Sequence, residues 1–79
     1  ITLRRGDRVT FTGETATPRS EWERLARERG LDVGGVTKKS ALVVAADPDS
    51  MSGKAKKARD YGVPIVDEKA FAILLDSMP

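Results

Sequence analysis

The sequence predicts an α/β fold in which a parallel β-sheet is covered by helices on both faces. Segments with the pattern of short strands alternate with segments of helical periodicity, in the order β-α-β-β-α-β-α. The apolar run of residues 41–46 shows no polar alternation, which is typical of a central parallel strand buried on both faces. Strands separated by helices favour parallel pairing through right-handed crossovers.

The first predicted strand covers residues 8–13, where Val9 and Phe11 alternate with polar residues and Gly13 ends the run. A polar loop follows and leads into a helix. A strand that stops at Thr12-Gly13 and feeds a helix places a hydroxyl and backbone N–H groups at the carboxyl edge of the sheet, where anions are commonly held. We therefore expect the function at this edge.

The first helix is predicted from Pro18 or Arg19 to Arg29, with Thr17 as N-cap, Pro18 in the first helical position and Gly30 as the stop. The face predicted to pack inward consists of Trp22, Leu25, Ala26 and Arg29. At this spacing Trp22 is interpreted as a core residue in preference to a platform for base stacking.

The second half of the chain supplies the remaining elements. Residues 31–33 predict a short edge strand, residues 36–40 a basic connector, and residues 52–61 a second helix closed by Gly62. A fourth strand is predicted at 63–66, at a sheet edge because of Pro64. Asp67 is predicted to cap a third helix, whose buried stripe is Ala70, Phe71, Leu74 and Leu75.

The composition describes one small domain over residues 1–79, with a core at about 3–75. The chain has 79 residues, of which 39% are hydrophobic and 33% charged, a globular balance. It contains no Cys and no His, which excludes disulfides, a thiol nucleophile, an imidazole base and the commonest metal ligands. The net charge is only +2, but local basic patches bind phosphate at low total charge. One such group of basic residues follows the first helix: Lys38, Lys39, Lys54, Lys56, Lys57 and Arg59.

Cellular context is also predicted. No apolar stretch reaches membrane-spanning length and no signal peptide is recognisable, so we expect a cytoplasmic protein without a membrane partner. The sequence begins with Ile, and we expect a segment of a longer protein. Neither a repeat nor a low-complexity segment is present.

Catalysis is not expected within these residues. The Gly53-Lys54 pair lacks the remaining features of a P-loop, since Ala55 stands where Ser or Thr is required. The acidic residues near Asp47 lack the spacing of a calcium loop. We therefore predict no catalytic residue, no metal and no cofactor.

An ordered set of segments resembles BRCT domains over about residues 3–75. The segments are Phe11-Thr12-Gly13, residues 36–40 leading into Leu42-Val43-Val44, residues 52–58, and residues 62–71. The chain is similar to the BRCT domains of bacterial NAD-dependent DNA ligases, of the replication factor C large subunit and, most closely, of actinobacterial polymerase III epsilon-like proofreading exonucleases. The last similarity rests on residues 11–15, 22–24 and 45–50.

The resemblance implies a three-layer sandwich with a four-stranded parallel sheet of order 2-1-3-4. Helices 1 and 3 would cover one face and helix 2 the other. It also implies a phosphate pocket made of Thr12, the N–H of Gly13 and Lys57, with Arg19 assisting at a 5′-phosphorylated DNA end. Lys38, Lys39 and Lys54 are predicted as auxiliary DNA contacts.

Two departures from the family pattern are visible. The paired glycines usual after the first helix appear as Gly30-Leu31, and the Trp frequent in the third helix is replaced by Phe71. Phosphopeptide recognition in this family uses a groove between two copies, whereas this chain holds one. The resemblance therefore does not extend to that mode of binding.

Each site residue also has a purely structural interpretation. Thr12 could cap a turn, whereas Lys57, Arg19, Lys38 and Lys39 could be solvated surface charges. The function predicted is a non-catalytic, monomeric module of a bacterial DNA replication or repair protein, associated with the nucleoid, that binds DNA and positions an attached exonuclease or ligase. The alternative is a protein-docking module that recruits a replication or repair partner and has a vestigial phosphate pocket.

Overall fold

The computed structural model describes residues 2–49 and 53–78. The strands are β1 (Arg8–Thr12), β2 (Asp32–Val33), β3 (Leu42–Ala45) and β4 (Ile65–Val66), and the helices are α1 (Arg19–Glu28), α2 (Gly53–Tyr61) and α3 (Glu68–Asp76). They form a four-stranded sheet of order β2-β1-β3-β4, in which neighbouring strands are parallel. The predicted fold class and strand order are confirmed. The predicted start of the second helix, at Ser52, lies outside the described residues.

The side of the sheet that carries α1 and α3 holds most of the core. Because side chains alternate along a strand, Val9 and Phe11 of β1 share one face with Leu42 and Val44 of β3. All four belong to one apolar cluster with residues of α1 and α3, including Trp22, Ala26, Phe71 and Leu75. These residues are at most 8% exposed, so this layer supplies most of the buried apolar area.

The opposite side of the sheet is covered by α2 alone and is thinner. Val43, between Leu42 and Val44, points to this side and clusters with Ala58 of α2 and with Val63. The buried residues of α2 are the alanines Ala55 and Ala58, whose small side chains let the helix lie close to the strands. The layer assignment expected for the three helices is therefore confirmed.

Phe71 is the centre of an aromatic cluster that joins the sheet to α1 and α3. Its ring meets the ring of Phe11 edge-on at a centroid distance of 5.3 Å and an interplanar angle of 84°. It meets Trp22 in the same manner at 5.3 Å and 76°. Such edge-to-face pairs stabilise beyond their buried area. Trp22 is 8% exposed, which confirms its assignment to the core.

The beginning of α1 differs from the prediction, and Thr17 as N-cap is wrong. The N-cap is Pro18, and it makes no side-chain capping hydrogen bond. Its carbonyl accepts from the N–H groups of Glu21 and Trp22, at 3.0 and 3.2 Å, so the helix begins one residue later than a Thr17 cap would place it. The N–H of Thr17 lies outside the helix and donates to Oε1 of Glu68 at 2.9 Å.

The other helix end that departs from the prediction is the carboxyl end of α1. Arg29 was assigned to the inward face, but it is the C-cap residue and is exposed. The helix ends here because Gly30 takes a φ of +83° and the N–H of Leu31 donates back to the carbonyl of Ala26 at 3.0 Å. The Arg29 side chain stays in solvent. The prediction that Asp67 caps α3 is confirmed, since its Oδ1 accepts from the N–H of Ala70 at 2.8 Å.

Glu68, the first residue of α3, holds the loop between β1 and α1. Its Oε1 accepts from the N–H of Thr17 at 2.9 Å and from Nε1 of Trp22 at 2.8 Å, and its Oε2 accepts from the N–H of Ala16 at 2.9 Å. These hydrogen bonds lower the pKa of Glu68, that from Trp22 most, followed by those from Thr17 and Ala16. A charged acceptor thus ties α3 to a loop about fifty residues away along the chain.

At the opposite end of β1, Arg8 connects β1 to β2 and to Gly35 in the loop that follows β2. Its Nη1 lies 2.7 Å from Oδ2 of Asp32, and its Nε donates to the carbonyl of Gly35 at 2.8 Å. A side chain at Gly34 would collide with this guanidinium group, since a Cβ there would lie 2.0 Å from Nη2.

Within the described ranges, no helix is long and apolar enough to cross a membrane.

Replacement of Phe71 with Ala is expected to destabilise the domain by about 3–5 kcal/mol, because it opens a cavity at the centre of the aromatic cluster. Chemical denaturation followed by Trp22 fluorescence measures this change. Ile73→Ala on the same helix is the control, since Ile73 is 66% exposed and its truncation should change the unfolding free energy by no more than about 0.5 kcal/mol. Equal effects of the two substitutions would contradict the assigned core.

Glu68→Gln should lower stability at neutral pH, because it removes the negative charge that strengthens three hydrogen bonds. The folded-state pKa of Glu68 is lowered, so its stabilising contribution is present above the ordinary glutamate pKa and is lost as pH falls through the lowered value. The difference in urea midpoint between the wild type and this variant should therefore be largest near about pH 7 and shrink towards about pH 3.

The control for this measurement is Glu14→Gln, an exposed residue in the same loop. It should leave the urea midpoint nearly unchanged at both pH values. A pH-independent difference between the wild type and Glu68→Gln would contradict the role assigned to the Glu68 carboxylate.

Candidate phosphate-binding site

Thr12 is the last residue of β1 and is 7% exposed. It pairs with Ala45 of β3, just as Thr10 pairs with Val43, and paired residues of parallel strands share a face. Because Val43 packs against Ala58 of α2, the Thr12 side chain lies on the α2 side of the sheet. The hydroxyl thus stands at the carboxyl edge, on the face that carries the lysine-rich helix.

Gly13 turns the chain sharply after Thr12. Its φ is +81°, a conformation that residues with a side chain rarely adopt. A Cβ at this position would lie 3.2 Å from the Cβ of Ala46, where the chain continues from β3. The N–H of Ala46 donates to the carbonyl of Thr12 at 3.2 Å, so the ends of the two central strands stay together at this edge. Glycine is therefore required here by both conformation and space.

Arg19 reaches back from α1 to the end of β1. It is the first residue of the helix, and its Nη2 lies 3.4 Å from the carbonyl oxygen of Gly13. The Arg19 side chain is exposed, so most of its guanidinium donors face solvent. The amino end of α1 adds a partial positive charge beside it, and this end has no side-chain cap. A cation and a helix N-terminus thus meet next to Gly13.

Lys57 and Lys54 lie on α2, which begins after β3 and therefore at the same carboxyl edge. Both lysines are exposed. They are three residues apart and lie on one flank of the helix, while Ala55 and Ala58 face the sheet. Lys57 thus has the accessibility that a phosphate ligand needs.

Lys38 and Lys39 lie in the loop between β2 and β3 and are both exposed. This loop is held by Ser40, whose Oγ accepts from the N–H of Thr37 at 2.9 Å. The Nζ atom of Lys38 lies 5.8 Å from the centre of the Tyr61 ring, a cation–π contact with the last residue of α2. Tyr61 is one turn beyond Lys57 on the same flank, so Lys38 approaches the flank that carries the other predicted lysines.

Two contacts in the structure involve predicted site residues. Arg19 contacts Gly13, and Lys38 contacts the lysine flank of α2 through Tyr61. Lys39 extends from the same loop as an exposed charge. Among the residues that the structure describes, no group of three Asp, Glu, Cys or His residues is arranged to hold a metal ion.

Sequence reasoning missed two residues that shape this region. Glu68 fixes the loop through Ala16 and Thr17, and its acidic character at the start of a helix gives no indication of contacts so far along the chain. Tyr61 was treated only as the end of a helix. Its spacing from Lys57 could have placed it on the lysine flank, but its contact with Lys38 depends on the fold of the intervening loops.

Several curated proteins are similar to this chain, and those named here are bacterial DNA ligases. The DNA ligase of Desulfovibrio desulfuricans is 38% identical over 71 residues, which covers 89% of this chain and 10% of that protein. The DNA ligase of Treponema denticola is 42% identical over 67 residues, covering 82% of this chain and 10% of the ligase. That of Sorangium cellulosum is 44% identical over 59 residues, covering 73% and 9%. The chain thus spans about a tenth of the length of these relatives.

The family comparison covers most of the sheet and its helices. The model of the BRCA1 C Terminus (BRCT) domain matches residues 6–72, from the turn before β1 into α3. This range includes Thr12, Gly13, Arg19 and Lys57. With the strand order β2-β1-β3-β4 and the ligase relatives, the match shows that the chain belongs to the BRCT domain family.

Proposed function

We propose that this BRCT domain binds DNA through a phosphate group at the carboxyl edge of the sheet, with a preference for a 5′-phosphorylated end, and so positions an attached enzyme. The observation that carries the proposal is the contact of the Arg19 guanidinium with the carbonyl of Gly13. It places an exposed cation beside the glycine that ends β1, at the uncapped amino end of α1. Backbone N–H groups, a helix N-terminus and a guanidinium are the usual ligands of a phosphate.

Each residue of the proposed pocket has a distinct chemical part. The Gly13 N–H and the Thr12 hydroxyl would donate to phosphate oxygens, while Arg19 and Lys57 would neutralise charge. A terminal phosphate monoester carries more negative charge than an internal diester, so a pocket with two cations favours an end. The loop that connects these residues is held by Glu68, so its position does not depend on the ligand.

The lysines predicted as auxiliary contacts extend the proposed surface along α2. Lys54 lies on the same flank as Lys57, and Lys38 reaches that flank at Tyr61. Exposed lysines in a row suit the backbone of a nucleic acid, whose affinity comes mainly from phosphate contacts. In this proposal, Lys39 contacts the backbone beyond Lys38.

The attached enzyme is proposed from the relatives. The similar proteins named above are DNA ligases, each about ten times longer than this chain, so a ligase is the first candidate for the parent protein. The resemblance to exonuclease-linked and replication factor C domains stays a prediction, and with it an exonuclease parent. In either case the domain itself carries no catalysis and works as a monomer in the bacterial cytoplasm, near the nucleoid.

The alternative function is docking of a replication or repair protein. Its supporting observation is Ile73, which is 66% exposed on the outer side of α3. An apolar contact there would respond weakly to salt. DNA binding through phosphates should weaken linearly in log affinity with log salt concentration.

An NMR titration of the labelled domain tests the proposal, with a short duplex that carries a 5′-phosphate and the same duplex without it. We expect phosphate-dependent shifts at Thr12, Gly13, Arg19 and Lys57. Equal shifts with both duplexes would reject end recognition in favour of general backbone binding. No shifts at low salt would reject DNA binding and favour docking. Docking would then be detected as shifts around Ile73 on addition of a candidate partner protein.

Lys57→Glu is expected to weaken binding of the phosphorylated duplex by about tenfold or more, because a charge-assisted contact becomes a repulsion. Fluorescence anisotropy at several salt concentrations measures this loss of affinity. The slope of log affinity against log salt concentration should decrease in magnitude by about 1, because one phosphate contact is lost. The control Lys56→Glu makes the same change of charge at an exposed residue of the same helix, off the flank that carries Lys54 and Lys57. Equal losses in both variants would indicate a general electrostatic effect and would reject the assignment of Lys57.

Gly13→Ala should reduce both stability and binding. The left-handed φ of Gly13 costs a residue with a side chain about 1–2 kcal/mol, and the new Cβ would press on Ala46. The matched control is Gly35→Ala, because Gly35 has no positive φ and has open space at its Cβ position. Thermal unfolding and duplex titration of both variants check the expectation. A Gly13→Ala variant that binds the phosphorylated duplex like the wild type would exclude Gly13 from the pocket.

A further inference from the structure

A second basic surface lies at the amino edge of the sheet, at the other end of the strands from the proposed pocket. It consists of exposed arginines from the lead-in to β1 and from the end of α1, here called the amino-edge arginines: Arg4, Arg5, Arg27 and Arg29. Because α1 runs antiparallel to the strands, its carboxyl end returns to the edge where β1 begins.

Backbone and side-chain contacts hold these two segments together. The N–H of Gly6 donates to the carbonyl of Gly30 at 2.8 Å, and the N–H of Gly30 donates to the carbonyl of Arg27 at 2.9 Å. The Arg5 side chain lies across Gly30, with its Cγ, Nε and Cζ atoms 3.1 Å from where a Cβ would stand. The arginines of the lead-in therefore lie beside those of the helix end as a consequence of the fold.

The acidic groups at this edge do not neutralise the arginines. One oxygen of Asp7 accepts from the backbone N–H of Arg4 at 3.0 Å, and Asp76 lies 3.9 Å from Nη2 of Arg29 in a pair that is largely exposed. In the described part of the chain, Arg4, Arg5 and Arg27 form no ion pair. The carboxyl end of α1 adds only about half a negative charge. Glu28 and Asp32 also lie at this edge, but each pairs with an arginine outside the group, Arg24 and Arg8. The four amino-edge arginines thus outweigh the remaining negative charge around them.

The side chains between the arginines indicate what kind of partner fits. Leu3 and Leu31, the apolar residues next to these arginines in the chain, are 1% and 4% exposed. The surface therefore offers guanidinium groups without an apolar centre, whereas protein interfaces usually have an apolar core. Guanidinium groups bind phosphate in bidentate geometry and dominate contacts to nucleic-acid backbones.

We propose that the amino-edge arginines form a second DNA-binding surface, which contacts the sugar-phosphate backbone and does not require a 5′-phosphate. The two surfaces lie at opposite ends of β1, a strand of five residues, so they cannot share one phosphate. The domain would then hold two segments of backbone. This surface is independent of the proposed pocket, because none of its residues belongs to it.

The test is an NMR titration of the labelled Lys57→Glu domain with a duplex whose ends carry hydroxyl groups only. Shifts are expected for the amides of residues 4–6 and 27–30. Arg27→Gln in the same background should reduce them and lower the salt slope of binding by about 0.9. Lys69→Gln, which removes one positive charge from α3, should leave both unchanged. Arg4→Gln serves as a second variant, from the other segment.

Two outcomes would overturn the inference. Absence of shifts at residues 4–6 and 27–30 at low salt would reject the second surface, and phosphate-dependent shifts of the wild type at Gly13 and Arg19 would show that the pocket stands without it. Equal shifts on addition of polyglutamate of matched charge would reject DNA as the specific ligand and point to an acidic protein segment. In the wild type titrated with the 5′-phosphorylated duplex, shifts at the amino edge with none at Gly13 and Arg19 would support this surface and reject the pocket.

Discussion

The Glu68 carboxylate accepts hydrogen bonds from the indole of Trp22 and from the N–H groups of Ala16 and Thr17, and the geometry of the loop after β1 depends on it. Three residues later, the Phe71 ring packs against Trp22 and Phe11. The same turn of α3 therefore holds α1 by apolar packing and the loop by a charged acceptor. Arg19 is the first residue of α1. The core on this side of the sheet therefore sets the position of Arg19 relative to Gly13.

The two sides of the sheet differ in what they contribute: one side supplies most of the stability of the fold, and the other carries the exposed lysines of α2. The α1 and α3 side buries large apolar residues such as Phe71 and Leu42, whose loss costs most. The α2 side is closed by alanines, which contribute little area each but bring the helix close to β3. Exposed lysines on α2 contribute little to the fold. The cations of the proposed pocket are therefore free to vary with function, whereas the loop they adjoin is fixed by the core.

Local features of the sequence were sufficient for most elements of the fold, whereas the strand order and the helix layers came from the resemblance to BRCT domains. The unbroken apolar run 41–46 and the capping residue Asp67 act within their own elements, and the structure confirms both. Thr17 as N-cap was wrong because the carbonyl of Pro18 accepts the first helical hydrogen bonds, which leaves Thr17 in the loop that Glu68 holds. Contacts such as Lys38 with Tyr61 depend on how two loops return to the sheet, and no spacing in the sequence encodes that. The candidate residues could be placed at the end of β1 and on α2 from the sequence, but the contacts around them could not be predicted.

Many acidic side chains in the described residues take part in a hydrogen bond or an ion pair within the domain. The net charge of +2 is therefore unevenly distributed over the surface. These acidic side chains cap turns and helices or pair with arginines on their own surface: Asp7, Glu21, Glu28, Asp32, Asp47, Asp67, Glu68 and Asp76. In the described residues, the lysines of α2 and the amino-edge arginines other than Arg29 have no such carboxylate partner. A carboxylate that is paired with its own arginine or hydrogen-bonded in a turn adds little negative potential near these cations. The field that a polyanion meets near either edge is therefore more positive than the sum over the chain suggests.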